Sequence, residues 1–442
     1  VSWAALRQAV EIAAQGDRVV LRGLRAPACV LPFTPASTAL DGLCTIDLTI
    51  ERGKLAQIRA AASGAGEGLS IGQRIVWPAA VDCHTHIDKG QVWARGANPD
   101  GTFEGALDQS GIDAATYQSD ADVRARAGFS LASAYAHGTA LLRTHVDAAP
   151  ETFDRRFAVL QEVAQEWTGR VEVQLCPFSG VRDDPGWLIR LAQAAKATRT
   201  RTLSFFLRAG TTLDADLDRI IRCAADHGLA LDFHADETLD PASDCLGSIA
   251  RALIRHQFDG PVMVGHCCAL SVQDDAAVAR TLDRVAQTGI GIVALPLCNM
   301  YLQDRFAGHS PRHRGIAPLK EIRARGIPVA IGSDNTRDAF YAYGDLDVPD
   351  LFRDALRMMQ LDHPVGHWPA TVLNDAASLI GAPERGRLTI GAPADLILFS
   401  ARNWSEFTAR PQHDRMVLRA GRSIDTTPPD FADLDTLEGM HP

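Results

Sequence analysis

The chain has 442 residues, 46% of them hydrophobic and 22% charged, with 36 glycines and 23 prolines; these are values of a folded globular protein and exclude a fibrous or wholly disordered one. Forty-four Lys and Arg stand against 54 Asp and Glu, a net charge of −10, which argues against nucleic acid or an anionic membrane as a partner. No window reaches the roughly 18 uninterrupted apolar residues of a membrane span, Arg7, Glu11 and Asp17 interrupt any reading of the start as a secretory leader, and nine scattered cysteines without a C-x-x-C pair read as reduced thiols, so a cytoplasmic location is expected.

Along the chain, residues 18–73 break into short β-like pieces, Arg18–Leu24, Ile46–Glu51 and Leu55–Arg59, divided by Gly and Pro. A different rhythm then begins. Apolar runs at Arg74–His84, Ala140–Val146, Val171–Cys176, Thr202–Leu207, Ala230–Phe233, Val262–Val264, Ile290–Leu295 and Pro328–Ile331 alternate with amphipathic stretches such as Ala121–Tyr135, Thr152–Trp167, Leu213–Asp226, Pro241–Ile254 and Gln273–Gln287. Short runs rich in Val, Ile and Leu between helices predict a parallel sheet covered on both faces. After the first run the starts fall about 30 residues apart, the length of a strand–helix unit, and eight such units predict a closed (β/α)8 TIM-type barrel rather than an open sheet. β-like runs return at Asp395–Phe399 and Met416–Ala420, and residues 426–442 form a Pro- and Asp-rich tail, loose or docked. The expected organisation is the N-terminal part of a small β-sandwich domain at 1–73, the barrel at 74–384, and the rest of the β domain with the tail at 385–442.

The ends of the runs carry the chemistry. His84 and His86 close the first run, and side chains at i and i+2 of a strand point to the same side, so both imidazoles can face the barrel mouth. His234 ends the fifth run, His266 the sixth and Asp334 the eighth; barrel enzymes place their reacting groups at these C-terminal strand ends. Each could instead be a polar residue satisfied in a loop, but scattered core histidines would not sort in this way. Three neutral nitrogens and a carboxylate from His84, His86, His234 and Asp334 suit one divalent ion, Zn²⁺ or Fe²⁺ foremost with Mn²⁺ tolerated, and leave a position for water. Such an ion can bring the pKa of its water to roughly 7. Glu237, three residues past His234, can reach the site without being a ligand and protonate a ring nitrogen, unless it is a mere surface carboxylate. His266 can hold a developing oxyanion or the nucleophile.

No P-C-x-x-C follows an H-x-E, and H-E-x-x-H, G-x-S-x-G and phosphate-loop patterns are absent, which removes the main support for a small zinc deaminase, a zinc protease, a serine hydrolase or an NTPase. At His84-Thr85-His86-Ile87-Asp88 with Gln91, Arg143-Thr144-His145-Val146-Asp147, His234-Ala235-Asp236-Glu237, Pro296-Leu297-Cys298-Asn299, Arg314-Gly315-Ile316 and Gly332-Ser333-Asp334 with Asp338, Phe340 and Gly344, the sequence resembles the amidohydrolase superfamily and its cytosine deaminase-like branch. The resemblance runs from about Val20 to Ala420. It implies His84, His86, His234 and Asp334 as ligands of a metal, Glu237 as proton shuttle, and His266 as partner of the nucleophile. It also implies that Asp334 passes the water's proton to the leaving amine, and that the enzyme is a homo-oligomer. The fourth run, Thr202–Leu207, lacks the bridging lysine of two-metal relatives, so one ion per chain is expected, and Lys89 reads as a loop cation.

By the same resemblance the pocket would draw on Gln91, Phe178, Asn299, Asn335 and Phe340. Phe178 falls where cytosine deaminases use a glutamine to read an amide edge; a phenyl ring makes no such hydrogen bond, so a different ring or orientation is expected. A shift of one residue would bring Ser179 forward instead. Residues Gln91–Leu107, in the long connection after the first run, are expected as pocket wall rather than oligomer contact. The expected function is deamination of a cytosine- or isocytosine-like heterocyclic amine with release of ammonia. The alternatives are hydrolysis of a ring amide or of an N-alkyl amine of an aminotriazine-like compound and, more distantly, a binding protein without catalysis.

Overall fold

The computed structural model describes residues 2–35, 40–61 and 66–440. Eight strands, β1 (Ala80–Thr85), β2 (Thr139–Asp147), β3 (Glu172–Gly180), β4 (Thr202–Phe206), β5 (Ala230–Ala235), β6 (Val262–His266), β7 (Gly291–Ala294) and β8 (Val329–Ile331), pair parallel, each with the next in the chain. The ring closes just beyond β8, where Thr85 and Asp334 form a parallel bridge and Asp334 N–H donates to the His84 carbonyl at 2.9 Å. The (β/α)8 barrel expected from the sequence is the fold.

The expected helices occur as Asp120–His137, Phe153–Glu166, Leu213–His227, Cys245–His256 and Asp275–Val285. In Leu213–His227 the apolar residues Leu213, Leu217, Ile220, Ile221 and Ala224 lie at helical spacing and are buried against the sheet. That helix stops at Gly228, whose φ of 60° suits a left-handed cap. The connection after β1 contains a further helix, Phe103–Thr116, started by Thr102, whose hydroxyl accepts from Gly105 N–H at 3.0 Å.

Two four-stranded sheets flank the barrel. One runs Lys54–Ala60, Leu43–Glu51, Arg18–Pro27, Leu69–Ser70; the other runs Arg422–Ser423, Met416–Arg419, Leu396–Leu398, Val76–Pro78. Both ends of the chain meet there: Leu55 N–H donates to the Ala392 carbonyl at 2.9 Å and Leu388 N–H to that of Val30 at 2.9 Å. The run Arg74–His84, expected as one barrel strand, divides. Val76–Pro78 pairs with Leu396–Leu398, and the barrel strand starts only at Ala80. Pro78 has no N–H to offer a ladder, and wholly buried Trp77 packs against Phe352, Phe399 and Phe407 with ring centroids 5.2–5.4 Å apart. Ahead of the first of these flanking strands, Arg18–Pro27, the chain forms a helix, Trp3–Ala13. The tail docks: Leu434 and Met440 are buried, and the Phe431 ring lies 4.1 Å under the Arg337 guanidinium. Among the described residues no helix is long and apolar enough to cross a membrane.

Candidate active site

At the C-terminal mouth of the barrel the inward side chains are histidines and carboxylates. His84 stands on β1 and His86 just past it, His234 on β5, His266 at the end of β6, Glu237 two residues beyond β5, and Asp334 three beyond β8. Asp334 Oδ1 is 3.5 Å from His84 Nε2 and 3.4 Å from His86 Nε2, and the Nε2 atoms of His86 and His234 converge to 3.2 Å. Two glycines allow this crowding. A Cβ on Gly332 would lie 2.9 Å from His84 Cβ, and one on Gly265 would lie 3.1 Å from His84 Cε1. His266 and Asp334 hold left-handed backbone conformations, φ 71° and 65°, which cost non-glycine residues energy and cluster at functional sites.

Glu237 is aimed by its neighbour. Asp236 accepts from Ser243 Oγ at 2.6 Å and from the N–H groups of Cys245 and Leu246 at 2.8 and 2.9 Å, tying the turn after β5 to the start of the helix Cys245–His256. Glu237 Oε1 then lies 3.4 Å from His266 Nδ1, to which buried Asn299 donates through Nδ2 at 2.9 Å.

The electrostatics favour a cation here. Burial, with Lys89 next, pushes His86 down to about 3; burial and the surrounding imidazoles hold His234 well below its ordinary value. Both rings are therefore neutral, with lone pairs to offer. Burial works against ionisation of Asp334, yet the imidazoles of His84 and His86, whose Nε2 atoms face it at 3.5 and 3.4 Å, keep it well below the usual carboxylate range. Both Asp334 oxygens, both His84 nitrogens and His234 Nδ1 are buried without a hydrogen-bond partner, an arrangement costly enough that native proteins rarely leave it unanswered. The donor set fits a divalent ion. Glu237 behaves oppositely: burial first, then the Asp334 charge, raise it well above its ordinary value, which favours its protonated form.

One histidine given no role in the sequence reading joins this cluster. His145, on β2, offers a nitrogen within 4.8 Å of those of His84, His86 and His234, while His84, His266 and Asp334 form an overlapping second group. His145 Nε2 lies 3.1 Å from Asp232 Oδ2, and Arg143 Nη1 reaches the same oxygen at 3.4 Å. The signal was present in the alternation Arg143, His145, Asp147 along one strand, which turns three polar side chains inward.

A cavity of about 590 Å³ opens over the cluster, lined among others by His86, Lys89, Asp147, Phe178, Glu237 and Phe340. Of the expected pocket residues, Phe178, Asn335 and Phe340 line it; the Phe178 ring lies 4.3 Å from that of His234. Asn335 donates to Asp338 Oδ2 at 2.7 Å. Asn299 stands behind His266, and Gln91 is buried with neither amide atom hydrogen-bonded. The connection after β1 supplies Phe103 and Leu107 as wall. Lys89, expected as a loop cation, is buried beside the cavity.

The model of the amidohydrolase family matches residues 190–425. The chain is 46% identical over 433 residues to a pterin deaminase of Rhizobium rhizogenes, covering 96% of this chain and 97% of that one. Its fold is similar to that of a 5-methylcytosine deaminase from Klebsiella pneumoniae, with a TM-score of 0.78 at 21% identity over 92% of this chain and 97% of that one. It is also similar to an N-isopropylammelide isopropylaminohydrolase from Burkholderia multivorans, with a TM-score of 0.72 at 21% identity over 94% of this chain and all of that one.

Proposed function

The chain belongs to the amidohydrolase family, and on that premise we propose that it deaminates the 2-amino-4-oxopyrimidine ring of a fused, pterin-like heterocycle with release of ammonia. It is a hydrolase of C–N bonds in a metal-dependent family; the ring and the residue roles are our reading. One observation carries it: the buried Glu237 side chain stands 3.4 Å from His266 over the same cavity as the histidine and aspartate cluster. The isocytosine-like ring expected from the sequence is the amino-bearing half of a pterin. The relative named a pterin deaminase, similar over nearly its whole length, supports the fused form.

His84, His86, His234 and Asp334 would hold one divalent ion, Zn²⁺ or Fe²⁺ foremost. When bound, such an ion acts as a Lewis acid and makes water a nucleophile near neutral pH. The protein groups divide the remaining work. Phe178 and Phe340 confine a flat ring between apolar faces. Glu237, kept neutral by burial, gives its proton to the ring nitrogen as water adds to the C–NH2 carbon. His266, with Nδ1 occupied by Asn299, presents Nε2–H to the oxygen that gains charge. Asp334 accepts one proton of the water and hands it to the amine, the proton of the added hydroxyl returns to Glu237, and the amine leaves as ammonia, so that C–NH2 and water become C=O and NH3.

The test is ammonia release by metal-loaded protein offered pterin, isocytosine, cytosine, 5-methylcytosine, isoguanine, creatinine and aminotriazines, each beside Glu237→Gln. Release from pterin, lost in Glu237→Gln with metal content retained, is the expected result. Release of an alkylamine, or a ring-opened product without ammonia, would overturn the reading.

A further inference from the structure

Some of the polar groups on the cavity wall have a part in the reaction and others do not. His86, His234, His266, Asp334 and Glu237 are absorbed by the reaction. Beside them Lys89 Nζ lies 3.2 and 3.3 Å from the two oxygens of Asp147, 4.7 Å from the centre of the Phe340 ring and 5.8 Å from that of Phe178. The Lys89 side chain is 8% exposed and that of Asp147 31%, and both open onto the cavity. Asp147 is held in place from behind: its N–H donates to Asp88 Oδ2 at 2.9 Å, and Arg156 Nη1 reaches its carbonyl at 3.4 Å.

An ammonium carries three N–H donors and a carboxylate about four acceptor positions. The pair, even while joined, therefore keeps a donor and an acceptor for a third group. Other polar side chains share this wall, but none joins a cationic donor to an anionic acceptor: the Asn335 amide donates to Asp338 at 2.7 Å, the Ser179 hydroxyl donates to the Gly180 carbonyl at 2.8 Å, the Thr152 hydroxyl carries no charge, and the guanidinium groups of Arg156 and Arg208 only donate. Adjacent donor and acceptor match the edge of a lactam, whose carbonyl accepts and whose neighbouring ring N–H donates. A 2-amino-4-oxopyrimidine ring carries that edge next to the C–NH2 carbon, with one ring nitrogen between the two carbons.

We propose that Lys89 and Asp147 read the lactam edge of the substrate, the ammonium donating to the ring carbonyl and the carboxylate accepting from the ring N–H. This assignment rests on the deaminase reading above and makes the pair determinants of specificity, apart from the groups that move protons in the reaction. A 2,4-diamino ring would set an amino group against the ammonium and offer Asp147 no ring proton. It should be refused for want of partners rather than for size.

The experiment compares pterin with its N3-methyl derivative on the metal-loaded wild type and on Asp147→Ser, with ammonia release as the rate and metal content measured in both. Wild type should show a KM about 10- to 100-fold higher for the methylated ring, with kcat changed less. In Asp147→Ser the methylation penalty should shrink to about threefold or less, because the carboxylate it blocks is gone and the shorter serine hydroxyl falls short of the ring N–H. A pair that only balances buried charge would leave the penalty the same in both proteins, and that result overturns the assignment. The wild type alone does so if it turns over the methylated ring with unchanged KM, whatever the fate of the variant. Absence of ammonia from unmethylated pterin in the wild type would instead overturn the deaminase reading itself.

Discussion

Replacing Asn299 by Asp exchanges an amide nitrogen for an oxygen and inverts the position of a proton on His266. In the native site Asn299 Nδ2 donates to His266 Nδ1 at 2.9 Å, so that nitrogen is bare and the proton of the neutral ring sits on Nε2. Burial, the largest influence, lowers His266 to about 3, so the ring stays neutral at ordinary pH. His266 Nε2 has no hydrogen-bond partner, and the residue lines the cavity. An aspartate can only accept, which draws the proton to Nδ1 and turns Nε2 from donor to acceptor. Loss of one donor aimed at developing charge costs about 2.7–4 kcal/mol, or roughly 10²–10³ in kcat. Asn299→Ala removes the partner without imposing the other tautomer and should cost less, about 1–3 kcal/mol. Ammonia release gives the rates, and nitrogen-15 NMR of labelled histidine reports which ring nitrogen is protonated. A kcat for Asn299→Asp within about threefold of wild type, with metal retained and the proton moved to Nδ1, would refute the reasoning.

Other expectations concern the fold and the metal. Asp347 is buried; that burial opposes its ionisation, but Arg415 and then His137 hold it well below the carboxylate range. The sign follows: a depressed native pKa stabilises above the unfolded value of about 3.9 and that stability is lost as pH falls toward the native one. Asp347→Asn, which leaves Arg415 buried without its counter-charge, should lose about 3–5 kcal/mol near neutral pH. In urea melts run at a series of pH values the gap to wild type should narrow below pH about 4; a constant gap would show that the charge is not the cause. His86→Ala should bind well under one equivalent of divalent ion by elemental analysis. A chelator should lower the melting temperature of wild type and leave that of the variant unmoved, because only a native state that binds ion is stabilised by it. Equal loading of both proteins would remove His86 from the ligand set.

Much of the barrel was legible because a strand buried on both faces is written as an apolar run, and the residues that end such runs are the ones that break the pattern. His84, His234, His266 and Asp334 stand out for that reason. The division at Pro78 was not legible: Val76 and Trp77 are as apolar as any barrel residue, and only pairing with Leu396–Leu398, more than 300 positions away, takes them out of the ring. His145 was visible as part of a motif but not as a neighbour of His84, since their 4.3 Å ring separation comes from packing β2 beside β1. The place of Asn299 behind His266, and of Lys89 against Asp147, likewise depends on contacts between separate loops. The helix Phe103–Thr116 escaped notice because its small residues, Gly105, Ser110 and Gly111 among them, dilute the apolar period.

The central claim is that this cluster performs a hydrolytic deamination. It is tested most directly by single-turnover reaction of the metal-loaded protein with pterin in oxygen-18 water. One ammonium and one oxygen-18 in the product ring per turnover, both abolished in Glu237→Gln, is the predicted result. Ammonium without solvent oxygen in the product, or an oxygen-labelled product formed as fast by Glu237→Gln, would contradict it.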